Sequence, residues 1–231
     1  MKVLLSITLA LLMTVSVAAQ TSCKPYIPAN KGSKWEVTNY NPKGKIQGKT
    51  AYELVEKLEA DSATTFTIKS TSTDKKGENP FTQQYKAYCK KGNFEFDMAV
   101  MMDPAAVSSY STMDMDMDAT EYTLPSMDAK PGTKLADGKL AVKIGSGGMT
   151  MFTMTINVTD RKVEAQEERK TPAGTFKCLK FSQRVNTKMI VKIEASSKEW
   201  YAEGVGMVRS ESYNKGGKLT GYSELTKLEK K

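Results

Sequence analysis

The sequence predicts a mainly β protein, a long antiparallel meander curled into a β-roll or open barrel, with one short helix near residues 104–111. Two observations predict the strands: apolar and polar residues alternate over many short runs, and turn sequences separate these runs. A dozen strands in one flat sheet would splay or leave long edges exposed, so the sheet is expected to curl on itself.

The individual strands are predicted from alternation with a period of two. In the run 81–89, for example, Phe81, Tyr85 and Cys89 fall on one face, and Gln84 falls on the other. The predicted runs are 34–40, 49–58, 64–73, 81–89, 94–98, 112–123, 139–144, 149–159, 162–170, 176–186, 189–195, 198–211 and 219–226.

Local signals bound these runs. Residues 41–44, 74–77 and 214–217 each place Asn or Asp first and Gly fourth, which is typical of a type I turn followed by a left-handed residue. The single helix is predicted from Asp103 as the N-cap and Pro104 at the first helical position.

The first 19 residues are typical of a cleavable signal peptide. A basic start is followed by the apolar run 3–17 and by the small residues Ala18 and Ala19. The run is too short for a transmembrane anchor, and Cys23 lacks the aliphatic residue expected three positions before a lipidated cysteine. We therefore expect residues 20–231 to form one soluble β-rich domain in the periplasm, in the medium or at the cell surface.

The charge does not favour a nucleic-acid partner. The whole chain has a formal net charge of +8, but its lysines are scattered over nearly every segment. A nucleic-acid surface is better indicated by clustered arginines, and the few arginines here are well separated.

The complete absence of histidine excludes several kinds of site. A Cys–His nucleophile, a His-assisted serine hydrolase and any His-ligated metal centre all need that side chain. Three cysteines, Cys23, Cys89 and Cys178, allow at most one intramolecular disulfide. We expect Cys23 to take part, because the proline-flanked segment that follows it would otherwise fray, but the spacing leaves its partner open.

Methionine is concentrated between Met98 and Met154. Three interpretations are open: adaptable core filler, a deformable surface for an apolar ligand, or thioether ligands for Cu(I). No metal site or cofactor is assigned. The candidate ligand-binding residues are Met98, Met102, Met113, Met115, Met117, Met149, Met151 and Met154.

Met and Asp alternate over residues 113–118. The segment fails the EF-hand pattern, because Ala119 and Pro125 stand where Gly and Glu are needed. A strand would place the two residue types on opposite faces. The sequence therefore predicts that Met113, Met115 and Met117 face the interior and that Asp114, Asp116 and Asp118 face solvent.

Segments 171–178 and 199–210, together with Cys23-x-x-Tyr26-x-Pro28 and Asn39-Tyr40-Asn41, carry a family resemblance. They resemble the TapB-like family of exported Bacteroidota proteins, a domain of unknown function of the DUF3108-like type. The resemblance covers essentially the whole mature chain. It implies a spiral β-roll in the periplasm or at the cell surface, with no established enzyme activity, cofactor or catalytic residue.

Taken together, these features predict an exported, non-catalytic envelope protein. Its concave side, rich in Met and aromatic residues, would bind a lipid-like or other apolar ligand or a partner protein. One alternative is a carboxylate-dependent enzyme acting on glycans, for which Glu167, Glu168 and Glu199 are available, although no acid pair stands out. The other is an envelope scaffold without a ligand.

Overall fold

The computed structural model describes residues 23–98, 102, 107, 109–110 and 112–231. In this part of the chain, thirteen strands form one antiparallel sheet. They are β1 Lys34–Tyr40, β2 Ile46–Ala60, β3 Ala63–Asp74, β4 Phe81–Lys90, β5 Asn93–Asp97, β6 Asp114–Ala119, β7 Glu121–Leu124, β8 Gly138–Ser146, β9 Met149–Thr171, β10 Gly174–Lys188, β11 Lys192–Ala202, β12 Gly206–Asn214 and β13 Leu219–Glu229.

The sheet closes almost completely into a barrel. Its strand order is β6-β8-β9-β10-β11-β12-β13-β1-β2-β3-β4-β5-β7, so β6 and β7 lie at opposite ends of the order. Only Thr120 separates these two strands in the chain. The segment therefore passes directly from one end of the sheet to the other, which confirms the prediction of a curled antiparallel meander.

Three predicted boundaries are wrong for reasons of pairing. The run 112–123 is two strands, because β6 pairs with β8 whereas β7 pairs with β5. The predicted break between 159 and 162 is instead a bulge inside β9, where Asp160 has a φ of 53°. The turn predicted near 196–197 lies between β11 and β12, where Gly204 has a φ of 64° that favours glycine.

Two predictions fall largely outside the described residues. The signal peptide, residues 1–19, lies entirely outside them. Of the predicted helix 104–111, Val107, Ser109 and Tyr110 are described, and the first two are helical. No helix in the described ranges is long and apolar enough to cross a membrane.

The segment before β1 closes one end of the barrel. A disulfide joins Cys23 to Cys89 of β4, which confirms that Cys23 takes part in a disulfide. The backbone amide of Gly204 donates to the carbonyl of Pro25 at 2.8 Å, and the Tyr26 hydroxyl donates to the carbonyl of Pro125 at 2.5 Å. Residues 23–33, which we call the N-terminal plug, are thus tied to strands on several sides of the barrel.

Candidate functional site

The methionines do not form one surface. Met98 and Met102 are buried, Met113, Met115 and Met154 are half-buried against the core, and Met117, Met149 and Met151 are exposed. Strand alternation separates Met151 from Met154 within β9, and Met149 lies beyond a bulge at the end of the strand. The structure therefore does not bring these eight methionines together on one concave surface.

Five of these eight methionines are buried or half-buried against the core. The Met98 thioether, for example, packs where a side chain at Gly138 would stand, with its sulfur 2.6 Å from that Cβ position. The prediction for residues 113–118 holds for the three exposed Asp residues and for half-buried Met113 and Met115. It fails for Met117, which is 46% exposed near the end of the sheet.

The three acids considered for catalysis differ in burial. Glu167 and Glu168 are both exposed, and Glu167 accepts a hydrogen bond from the Trp200 indole at 2.6 Å. Glu199, in contrast, is buried inside the barrel, at 8% exposure. Among the described residues, no group of three or more Cys, Asp or Glu side chains is placed to hold a metal ion.

Glu199 lines an interior cavity of about 230 Å³. The N-terminal plug closes this cavity at one end with Tyr26 and Ile27. Its wall is almost entirely apolar and aromatic, with side chains from β1 to β5, β11 and β12. The principal lining residues are Trp35, Tyr52, Ile68, Tyr85, Ala87, Phe94, Phe96, Tyr201 and Met207.

Four tyrosines and one acid line the cavity, and the hydroxyl of one of them, Tyr26, is already hydrogen-bonded to the carbonyl of Pro125. Burial raises the pKa of Tyr52 to about 12 and raises the pKa values of Tyr85 and Tyr201 as well. These hydroxyls therefore keep their protons at neutral pH. Burial also raises the pKa of Glu199, and this effect is opposed by Ser197, by the positive charge of Arg161 and by the Tyr201 hydroxyl.

A hydrogen-bond network holds Glu199 in place. Its carboxylate oxygen accepts from the Gln183 amide at 2.8 Å and from the Ser197 hydroxyl at 3.1 Å. The Tyr122 hydroxyl donates to the other end of the Gln183 amide. The Arg161 guanidinium stacks 3.7 Å from the centre of the Tyr122 ring. Two donors thus hold one carboxylate oxygen of Glu199 inside the barrel.

The interior wall changes character with distance from the plug. The register places small polar residues on the inward face of strands on both sides of the cavity, since cross-strand partners share a face. Two of the contacts among them are Thr50 with Ser72 at 3.0 Å and Ser223 with Asn39 at 2.7 Å. These residues, the polar wall, are Asn39, Thr50, Ser70, Ser72, Gln83, Ser197, Ser210, Ser212 and Ser223.

On the side formed by β1–β4 and β11–β13 the interior is therefore amphipathic along the barrel axis, whereas the inward face of β8 and of the first half of β9 stays apolar, as at Leu140 and Val158. The aromatic cavity lies against the plug, the tyrosine hydroxyls and Glu199 lie beside it, and the polar wall continues toward the opposite end. Sequence reasoning missed this arrangement. The available signal was the repetition of Ser at alternate positions of one strand, as at Ser70 and Ser72, where a filled barrel would place apolar residues.

Glu199 is expected to make stability depend on pH. Because its pKa is raised in the folded protein, the unfolded chain releases this proton at a lower pH, and stability falls as the pH rises through the folded pKa. The Glu199→Gln variant keeps an acceptor for Gln183 but does not titrate. As the pH rises above about 4.5, the free energy of unfolding of the variant should increase relative to that of the wild type. Urea unfolding at a series of pH values measures this difference.

Glu168→Gln, which alters an exposed acid, is the control for this experiment. It should follow the wild type at every pH. If the free energy of unfolding of Glu199→Gln depends on pH in the same way as that of the wild type, burial does not raise the pKa of Glu199.

Known proteins support the fold and the family. A chain from Bacteroides fragilis, proposed to be an exported protein with a YmcC-like fold, matches with 27% identity and a TM-score of 0.74. A chain from Parabacteroides distasonis, proposed to be a lipoprotein, matches with 26% identity and a TM-score of 0.76. Each match covers 90% of this chain and 100% of the other. No curated protein matches the sequence.

The family comparison confirms the resemblance seen in the sequence. The DUF3108-like domain matches residues 30–225, which include β1 to β12 and most of β13. The match thus includes the polar wall and all of the cavity lining except Tyr26 and Ile27 of the plug. The chain belongs to the DUF3108-like family.

Proposed function

We propose that this protein binds an amphipathic, lipid-like molecule inside the barrel, outside the cytoplasm in the periplasm or at the cell surface. The amphipathic interior is the observation that supports the proposal. An apolar chain would occupy the aromatic cavity, and its polar end would lie toward the tyrosine hydroxyls, Glu199 and the polar wall. The export of the protein rests on the sequence and on the descriptions of its structural relatives.

The cavity volume limits the ligand. At about 30 Å³ for a group the size of a water molecule, 230 Å³ holds about eight such groups. This corresponds to one alkyl chain of medium length and is too small for a two-chain phospholipid. Aromatic walls favour such a chain because it is removed from water on binding.

The polar groups favour a ligand whose head accepts hydrogen bonds. The hydroxyls of Tyr52, Tyr85 and Tyr201 remain donors, and burial favours the neutral form of Glu199, which also donates. A carboxylic acid, ester or amide head fits these donors. Binding without catalysis is favoured, because glycoside hydrolysis uses two carboxylates and Glu199 is the sole acid among the described residues of the cavity wall.

Filling the cavity should weaken binding of an alkyl chain. Ala87 is 1% exposed and lines the cavity, so Ala87→Phe places a ring where the alkyl chain would lie. We expect its affinity for decanoate, measured by isothermal titration calorimetry, to fall by at least about tenfold, which corresponds to about 1.4 kcal/mol. Native mass spectrometry of protein purified from its own envelope identifies the natural ligand.

The matched control is Ala51→Phe, which adds the same ring to an exposed position of β2. This variant should bind decanoate like the wild type. Equal binding by both variants and the wild type would place the ligand elsewhere. A wild type that binds no alkanoate of any chain length and carries no ligand from its envelope would favour the scaffold alternative.

A further inference from the structure

Exposed apolar side chains are concentrated at one place on the barrel. Of nine large apolar residues that are exposed in the described part of the chain, six lie at the β8–β9 and β10–β11 turns or beside them. They are Met149, Met151, Met189, Ile190, Val191 and Ile193. A concentration of this kind marks an interaction surface more often than isolated exposed residues do.

The register places the two turns at the same end of the sheet, with Met151 on the outer face of β9 and Ile193 on the inner face of β11. Lys188, the last residue of β10, pairs with Thr155 of β9. The β10–β11 turn therefore continues beside the part of β9 that extends beyond this pair, where Met151 is 67% exposed. At the turn itself, Ile190 is 91% exposed and Val191 is 70% exposed. We call this group of six residues the apolar tip.

Lysines bracket the apolar tip. Lys188 and Lys192 stand immediately before and after the turn, and both are exposed. Lys143 is exposed on the neighbouring strand β8. Lys192 pairs with Glu194 at 2.6 Å, Lys215 with the same acid at 3.0 Å, and Lys143 with Asp116 at 3.2 Å. Asp114 also lies beside the β8–β9 turn, where its carboxylate accepts from the Gly148 amide at 3.3 Å. With Lys188, the four lysines exceed these three acids by one positive charge.

We propose that the apolar tip docks this protein on a phospholipid bilayer. The layering of charges fits that partner, because aliphatic side chains would enter the outer acyl region while the ammonium groups of Lys188 and Lys192 stay at the level of the lipid phosphates. A protruding turn needs no complementary surface in a fluid bilayer, whereas a folded partner would have to supply a matching groove.

The apolar tip lies at the end of the barrel opposite the N-terminal plug. The turn joins the ends of β10 and β11 that are far from Tyr201 and the plug, at the same end as the polar wall. Docking would thus hold that end of the interior against the membrane. The docking proposal stands on the exposed residues alone and does not require the interior ligand.

The test is flotation of the full mature chain with vesicles of phosphatidylethanolamine, prepared with and without a minor fraction of phosphatidylglycerol. We expect the wild type to float with the vesicles and to bind more strongly when phosphatidylglycerol is present. The Ile190→Ser, Val191→Ser double variant should bind at least about tenfold more weakly. Lys188→Gln with Lys192→Gln should remove the preference for phosphatidylglycerol.

The matched control is Leu58→Ser. Leu58 is 57% exposed and lies near the C-terminal end of β2, outside the apolar tip. It should bind vesicles like the wild type. The proposal is overturned by a wild type that does not float, or by a double variant that floats equally well. Analytical ultracentrifugation tests a second copy of the chain as the partner. A wild type that dimerises but does not bind vesicles, together with a monomeric double variant, would assign the tip to that second copy.

Discussion

Replacing Cys89 by serine is expected to lower the free energy of unfolding by about 2–5 kcal/mol. The Cys23–Cys89 disulfide spans 66 residues and ties the N-terminal plug to β4. Without it the unfolded chain gains conformational freedom, and the plug keeps its hydrogen bonds, the Lys24–Glu203 ion pair and the packing of Tyr26 and Ile27. Guanidinium unfolding under non-reducing conditions measures the loss.

Dithiothreitol provides the internal check on this prediction. It should destabilise the wild type by a similar amount and leave Cys89→Ser unchanged. Cys178→Ser is the control for the loss of a thiol without the loss of a crosslink, since Cys178 is free and buried. A Cys89→Ser variant as stable as the wild type would mean that the plug stays in place without its covalent link.

Replacing Arg161 by alanine is expected to cost about 3–5 kcal/mol. Arg161 is 2% exposed, and its guanidinium donates to the backbone carbonyls of Ala136 at 2.6 Å and Thr123 at 2.9 Å. The substitution leaves two carbonyls without these donors and opens a space over the Tyr122 ring. Chemical unfolding measures the change.

Two further arginine variants separate burial from charge. Arg161→Lys keeps the charge but not the planar fork that reaches both carbonyls, so its stability should fall between that of the wild type and Arg161→Ala. Arg184→Ala removes an arginine whose side chain is 71% exposed and paired with Asp160, and should cost less than about 0.5 kcal/mol. Similar losses for Arg161→Ala and Arg184→Ala would contradict the assigned role of the buried guanidinium.

Much of the fold could be predicted because strand alternation and turn chemistry are local. The run 34–40 coincides with β1, and the turns at Asn41, Asp74 and Asn214 occur where the sequence places them. Closure of the barrel could not be predicted in the same way. Closure depends on the pairing of the strands before and after Thr120. β6 pairs with β8 and β7 pairs with β5, and these pairings are not visible in the local sequence.

The site was harder to predict, as β11 illustrates. Alternation separates Glu199 and Tyr201 from Trp200 but does not tell which face is inside, and hydropathy would place the tryptophan in the core and the acid in water. The structure does the reverse for Glu199, which gains hydrogen-bond partners inside. Trp200 lies on the other face, buried beneath cationic side chains, with Arg169 4.8 Å from the ring centre.

The same limitation explains the methionines. The sequence shows that the methionines cluster along the chain. Which of them are buried depends on the face of the strand and on the place in the sheet that each residue occupies. Met98 and Met151 therefore meet opposite environments, a filled core and water. The residues that carry the proposed binding site are instead tyrosines and one acid spread over β2, β4 and β11, and only the barrel brings them together.

The two tryptophans allow the most direct test of the proposal that an alkyl chain occupies the interior cavity. Trp35 lines the cavity, whereas Trp200 lies on the outer face of β11. A brominated decanoate quenches indole fluorescence on contact, and each tryptophan can be observed alone in the Trp200→Phe or the Trp35→Phe variant. The account predicts saturable quenching of Trp35 and none of Trp200. Quenching of Trp200 alone, or of neither residue, would contradict it.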